Sequence, residues 1–159
     1  MSFPMSAEQP QSMGPSEMPS VGMVLAHRIR RLGKRPLVFK GTELAMAMSF
    51  TPGLPYWYEL NIFRTDQQRF VLAVKLFFAS ENELDSSDAW EFDTLAEVFD
   101  AIEAYDAGRD VRFDTQGLAD APAAHMASMS MALRAEVEAA RAHFGGLVGE
   151  LFQQLDDAA

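Results

Sequence analysis

The chain has 159 residues and a formal net charge of −10, from 23 acidic and 13 basic side chains, and it contains no cysteine. This length is typical of one domain with a hydrophobic core, and the acidic balance disfavours general attraction to nucleic acid or to anionic membranes. Without cysteine there are no disulfides or thiolate sites, and no apolar run approaches the roughly 18 residues of a membrane-spanning helix. We therefore expect a cytoplasmic protein without membrane association.

The N-terminal region divides into a tail and a basic arm. Residues 1–20 are rich in Met, Ser, Pro and Gln without hydrophobic periodicity, which predicts a disordered tail. Residues 21–35 hold five of the 13 basic side chains, whereas residues from 36 onward hold 8 basic and 21 acidic ones. The arm can therefore bind phosphate, dock on its own acidic body or dock on a partner subunit. Its candidate residues are Arg28, Arg30, Arg31, Lys34 and Arg35.

Residues 36–120 predict an antiparallel sheet followed by a short helix. The segment "PLVFKGTELAMAMSF" begins with β-branched and aromatic residues and then alternates at period two, which favours a strand. Residues 56–78 alternate on both sides of the polar hinge "RTDQQR" and predict a β-hairpin. "AWEFD" predicts a further short strand. Thr94 and Glu97 then predict a capping box, at the start of a helix that ends near Gly108.

The hairpin has an apolar face and a mixed face. Tyr58, Leu60, Ile62, Leu72, Val74 and Leu76 alternate onto the apolar face, which we expect to be core. The mixed face is the candidate binding face, and it carries Trp57, Phe63, Val71, Lys75 and Phe77. Aromatic rings beside basic side chains can stack on single-stranded nucleic acid, but the same pattern fits a sheet covered on both sides. We expect the short helix to cover the apolar face and the C-terminal helix to cover the mixed one.

Residues 121–157 predict a long C-terminal helix in the same domain. Its large side chains recur every 11 residues, which is close to the period of a straight helix. Unbroken, the helix would be roughly 50 Å long, and it would overhang a body of about 120 residues with a radius of gyration near 14 Å. The overhanging stripe predicts a two-fold homodimer, whereas a kink at Gly145 and Gly146 would fold the segment back. In both cases we expect close helix pairing at Gly145 and Gly149.

The sequence predicts no catalytic residue, no metal site and no cofactor. The histidines, His27, His125 and His143, lack the spacing of a shared metal site. The chain contains no nucleophile elbow, phosphate-binding glycine loop or dinucleotide fingerprint. The acidic loop at 81–88 presents oxygen ligands at alternating positions, but it lacks the glycine and the final glutamate of a helix-loop-helix calcium site.

Together these patterns predict an α+β fold, with a three- to four-stranded antiparallel meander, one short helix on a face, and a long or kinked C-terminal helix. For function we expect a non-enzymatic binding or adaptor module that is homodimeric through the C-terminal helix and the mixed sheet face, and that can take a protein partner. One alternative is a single-stranded nucleic-acid-binding or regulatory protein that uses the basic arm and the sheet aromatics. Another is a small-molecule-binding domain with its site beneath the proline loop "TPGLPYW".

Overall fold

The computed structural model describes residues 22–51 and 54–158. The predicted tail, and Pro52 and Gly53 of the proline loop, lie outside these ranges. Within them, two short 3-10 helices, Ala107–Asp110 and Leu118–Asp120, lie between the two α-helices. The strands and α-helices are β1 (Val24–Arg31), β2 (Lys34–Met48), β3 (Tyr56–Thr65), β4 (Phe70–Phe78), β5 (Ser86–Phe92), α1 (Leu95–Glu103) and α2 (Ala123–Ala158).

The strands form one antiparallel sheet in the order β1-β2-β3-β4-β5. The predicted α+β class and the antiparallel meander are confirmed, but the described sheet has five strands rather than three to four. The additional strand comes from the basic arm, whose residues form β1 and the start of β2, with His27 opposite Phe39 and Arg31 opposite Lys34. Arg28 and Arg30 alternate with His27 and Ile29, so the charge cluster is the solvent side of a strand and not a separate arm.

The sheet curls strongly toward its mixed face. In a flat sheet, β1 and β5 would lie four strand spacings apart, about 19 Å. Instead, the Ser87 hydroxyl on β5 donates a hydrogen bond to the Arg30 carbonyl on β1 over 2.7 Å. The rings of His27 on β1 and Phe63 on β3 are 4.5 Å apart, centre to centre. The β1–β2 hairpin therefore folds over the mixed face.

Two hydrophobic cores lie on opposite sides of the sheet. The outer core joins the predicted apolar face to Val98 and Ile102 of α1 and to Phe144 and Leu151 of α2. The inner core, inside the curl, contains Ile29, Phe63, Val71, Ala73 and Ala89, with Leu37 and Phe39 packed against it. The prediction that α2 covers the mixed face is wrong. Both helices pack on the same side, because the 15-residue β2 lets the chain cover part of the mixed face with its own hairpin.

Helix α1 begins as predicted and ends earlier than predicted. The Thr94 side chain accepts a hydrogen bond from the Glu97 amide over 3.2 Å, and the Glu97 carboxylate accepts one from the Thr94 amide over 3.0 Å, which completes the capping box. The helix ends at Glu103, with Ala104 as its C-cap. Gly108 instead belongs to the 3-10 helix Ala107–Asp110.

Helix α2 is continuous through Gly145 and Gly146, so it does not break into two shorter helices there. A Cβ added at Gly145 or Gly149 would meet no atom within 4 Å, so the predicted close pairing at these glycines does not occur among the described residues. The buried residues of α2, Ala140, Phe144, Leu147 and Leu151, all lie toward its C-terminal end. We call residues 123–135, of which none is buried, the exposed half of α2. Neither described α-helix combines the length and the apolar character that crossing a membrane requires.

The first prediction concerns Gly41, where β2 passes from its pairing with β1 to its pairing with β3. A Cβ at this position would lie 2.5 Å from the Arg64 carbonyl oxygen, so the backbone would have to move. We expect Gly41→Ala to lower the free energy of unfolding by about 1–3 kcal/mol in urea denaturation. Gly145→Ala, in open space within α2, is the control and should raise it by about 1 kcal/mol. Similar effects of the two substitutions would contradict the close approach.

The second prediction concerns the contact between Asp106 and Arg141, which ties the segment after α1 to α2. The Arg141 guanidinium donates two hydrogen bonds to the Asp106 carboxylate, over 2.9 and 3.0 Å. These bonds, and to a smaller extent the hydrogen bond from the Gly108 amide, lower the pKa of Asp106 from 3.8 to about 2. Because the folded pKa lies below the unfolded one, the stabilisation is present above about pH 4 and is lost as the pH falls through about 2.

We therefore expect Asp106→Asn to lower the Tm at pH 7 and to leave it close to the wild-type Tm below pH 2. Thermal unfolding followed by circular dichroism across this pH range measures the difference. Asp120→Asn is the matched control, since the Asp120 side chain forms no ion pair among the described residues. A difference between wild type and Asp106→Asn that persists or grows on acidification would show that the stabilisation has another source.

Candidate functional site

A cavity of about 360 Å³ lies between the sheet, α2 and the segment that follows α1. We call it the Tyr58 cavity. Its volume falls within the range of about 300–1,000 Å³ that is typical of small-molecule sites. Its walls are mostly apolar, with charged groups at a few positions. The lining residues are Leu54, Pro55, Tyr56, Tyr58, Leu76, Phe78, Glu83, Asp110, Val111, Arg112, Glu136, Ala139 and Ala140.

Strand register and helix spacing bring these walls together. Tyr56 and Tyr58 fall on one face of β3 because side chains alternate along a strand, and they lie opposite Phe78 and Leu76 of β4. On α2, Glu136 is four residues before Ala140, so both fall on the helix face that meets the sheet. The small side chains of Ala139 and Ala140 leave open the volume that larger residues would fill.

A hydrogen-bond network centred on Asp110 holds one wall of the cavity. The Tyr58 hydroxyl donates to Oδ2 of Asp110 over 2.8 Å, and the Tyr105 hydroxyl donates to the same oxygen over 2.7 Å. Burial is the main cause, and the charge of Asp110 the second, of a pKa of Tyr58 far above its ordinary value. Burial, followed by the hydrogen bond to Asp110, also raises the pKa of Tyr105. Both hydroxyls therefore stay protonated at neutral pH and serve as hydrogen-bond groups rather than as general bases.

The remaining charged groups of the lining are mostly acidic. The Arg112 guanidinium lies 4.1 Å from the centre of the Phe78 ring and 3.6 Å from the Glu83 carboxylate. It also donates a hydrogen bond to the Leu84 carbonyl over 3.2 Å. Among the described residues, Glu136 forms no ion pair. Burial, followed by the charge of Glu136, raises the pKa of Tyr56.

The histidines lie on two elements, His27 on β1 and both His125 and His143 on α2. His27 stacks on Phe39, with ring centres 5.1 Å apart, and its Nε2 is 3.2 Å from the Gly41 carbonyl. His125 is exposed in the exposed half of α2. Nε2 of His143 is buried and has no hydrogen-bond partner among the described residues. Within residues 22–51 and 54–158, no group of three or more His, Asp and Glu is placed to hold a metal ion.

The structure divides the candidate binding face into a buried and an open part. Phe63 and Val71 are buried in the inner core, while Trp57, Lys75 and Phe77 are partly exposed. The Lys75 ammonium pairs with the Glu59 carboxylate over 2.6 Å. Because Phe63 is covered and the charge of Lys75 is neutralised, only part of the predicted stacking surface for nucleic acid remains.

An exposed aromatic residue adjoins the open part of this face. The Trp57 ring stacks on that of Phe77, with centres 5.6 Å apart, and meets Phe50 edge-on at 5.2 Å. Phe50, which is 58% exposed, was not among the predicted site residues. The period-two series Met46, Met48, Phe50 could have indicated it, since the series runs along one face of β2 and continues two residues past its end. These three rings form an open aromatic row on the mixed face.

The five basic candidates lie on the β1–β2 hairpin and not on the acidic body. Among the described residues none of them forms an ion pair, so the arm packs on its own body through Ile29 and the Arg30 carbonyl and not through its charged groups. The Arg31 side chain instead donates to the Arg35 carbonyl over 2.8 Å. A second cavity, of about 270 Å³, brings Arg28 and Arg30 together with Lys75 and Phe77. Lys34 and Arg35 are not part of that lining.

The principal site residues that sequence reasoning missed are Asp110 and Glu136. Tyr58 was predicted only as core, and its partner Asp110 lies 52 positions away in the sequence, so no local pattern connects them. Glu136 is an ordinary helix-surface residue until α2 is placed against the sheet. Comparisons of the chain with protein-family models, with curated proteins and with solved structures give no match.

Proposed function

We propose that this protein is a non-enzymatic binding module and that the Tyr58 cavity is its ligand site. The observation that carries the proposal is a cavity of about 360 Å³ with aromatic and aliphatic walls and a few convergent polar groups, which is the usual form of a small-molecule site. The location agrees with the alternative of a site beneath the proline loop, since Leu54 and Pro55 line it. The aromatic contacts come from Tyr56 and Tyr58 rather than from Trp57.

The proposed mode of binding follows from the walls. Apolar ligand surface removed from water contributes about 25 cal/mol per Å², and the partly exposed side chains of Tyr56, Phe78 and Val111 would contact it. Because Asp110 holds the hydroxyls of Tyr58 and Tyr105, this wall is ordered before a ligand arrives. Such preorganisation lowers the entropic cost of binding. The cysteine-free composition fits a reducing compartment, and we propose a cytoplasmic location for this activity.

The third prediction tests the cavity by filling it. In a thermal-shift screen of small aromatic and aliphatic compounds, a ligand at 100 times its Kd should add about 2.7 kcal/mol to the stability of the wild type. Ala139→Leu places three more carbon atoms in the cavity from an exposed helix position, so it should abolish the ligand-induced shift while the protein remains folded. Ala142→Leu, also exposed on α2 but outside the lining, is the matched control.

Two results of this screen would contradict the proposal. The first is that no compound stabilises the wild type. The second is that Ala139→Leu and Ala142→Leu respond to the same compound as the wild type does. Isothermal titration calorimetry with any stabilising compound then separates direct binding from indirect effects on unfolding.

We also propose that the module is a homodimer that pairs through the exposed half of α2. Met126 is 48% exposed, and Met126, Met129 and Leu133 recur at spacings of three and four residues, which places them on one helix face. Most helical stability in proteins comes from tertiary packing of such a face, and within the described ranges Met129 and Leu133 are only partly buried while Met126 is exposed. A second copy of the same helix, related by a two-fold axis, would present a matching stripe.

The fourth prediction tests this pairing by sedimentation equilibrium at micromolar concentration. We expect the wild type to be a dimer, and Met126→Glu with Leu133→Glu to raise the dimer dissociation constant at least about tenfold, because unpaired charges would be buried. Met131→Glu is the control, since Met131 is 73% exposed and lies off the stripe. A monomeric wild type, or equal dissociation by the control, would refute pairing through this face.

A further inference from the structure

We propose that the ligand of the Tyr58 cavity is an organic amine whose positive charge lies at the Glu136 side of the cavity. The inference rests on the proposed ligand site and adds the chemical class of the ligand. Two features of the lining support it independently, namely its balance of charges and its aromatic walls.

The charge balance of the lining favours a cation. Three carboxylates, those of Glu83, Asp110 and Glu136, line the cavity with one guanidinium, that of Arg112. A second guanidinium, that of Arg109, lies outside the lining and 3.8 Å from the Asp110 carboxylate. The Arg112 guanidinium is already engaged by Glu83, 3.6 Å away, and by the Phe78 ring, 4.1 Å away. The Glu136 carboxylate has no cation beside it among the described residues. An incoming ammonium group would supply the missing partner.

The same balance disfavours an anionic ligand. A carboxylate or phosphate would meet the unpaired charge of Glu136, and the guanidiniums of Arg109 and Arg112 are already paired with Asp110 and Glu83. Like charges placed within a few ångströms repel, and they do so more strongly where burial lowers the effective dielectric constant. The cavity therefore discriminates between an amine and an acid of the same size by attraction to the first and repulsion of the second.

The aromatic walls suit an ammonium group that carries an apolar body. Tyr56, Tyr58 and Phe78 line the cavity, and the face of an aromatic ring attracts a cation within about 6 Å. The Arg112 guanidinium over Phe78 already shows that one of these rings accepts a cation. The alanine and leucine side chains would contact the apolar body.

The experiment compares three probes of nearly equal size: 2-phenylethylamine, 2-phenylethanol and phenylacetate. We expect the amine to bind the wild type at least about tenfold more tightly than the alcohol does, and phenylacetate not to bind. Glu136→Gln should weaken amine binding about two- to fivefold and leave alcohol binding unchanged, because one solvent-exposed charge is removed. Added salt should weaken binding of the amine and leave binding of the alcohol unchanged. Glu150→Gln removes the same charge from an exposed position of α2 outside the lining and is the control.

The outcomes separate this inference from the proposed function. If 2-phenylethanol binds as tightly as 2-phenylethylamine, or phenylacetate binds best, the amine class is wrong while the cavity remains the site. If Glu136→Gln and Glu150→Gln weaken the amine equally, the charge does not act at the cavity and the inference is overturned. If none of the probes binds at millimolar concentration the inference also fails, and the broader screen with Ala139→Leu then decides whether the cavity is a site at all.

Discussion

The fold relies on the close approach of the β2 and β3 backbones at Gly41. Because no side chain stands between Gly41 and the Arg64 carbonyl, one long strand can pair with β1 along its first half and with β3 along its second. The β1–β2 hairpin then covers Phe63, Val71 and Ala73 from within the curl. A larger residue would hold the two strands apart and open the inner core to water.

The inner core in turn restricts the sheet face on which the helices can pack. Since the hairpin already covers part of the mixed face, the outer face takes both α1 and the C-terminal part of α2. Two helices and the segment between them do not fill that face completely. The small side chains of Ala139 and Ala140, opposite the tyrosines of β3, leave the volume of the Tyr58 cavity. The proposed binding site and the outer hydrophobic core thus share one sheet face.

The polar groups of the cavity divide into a hydrogen-bonded part, at Asp110, and a solvent-exposed part, at Glu136. Asp110 is satisfied by two tyrosine hydroxyls, so its role within the protein is to hold that wall. Glu136 is near Tyr56 and has no cation beside it among the described residues. A ligand would therefore contact walls that are already in place and find one charge to neutralise, and the proposed binding function rests on this arrangement.

Local patterns in the sequence were enough to predict the individual strands and helices. Alternation predicted the β3–β4 hairpin and its apolar face, and the Thr94–Glu97 pair predicted the start of α1. A long helix-compatible segment predicted α2. These predictions succeeded because each signal acts between residues that are close in the chain. Three features appear only in the tertiary structure. The basic arm forms a strand, α2 packs on the outer face, and Tyr58 contacts Asp110, 52 positions later in the chain. Strand curling and helix placement depend on contacts between distant residues, which no periodicity in one sequence encodes.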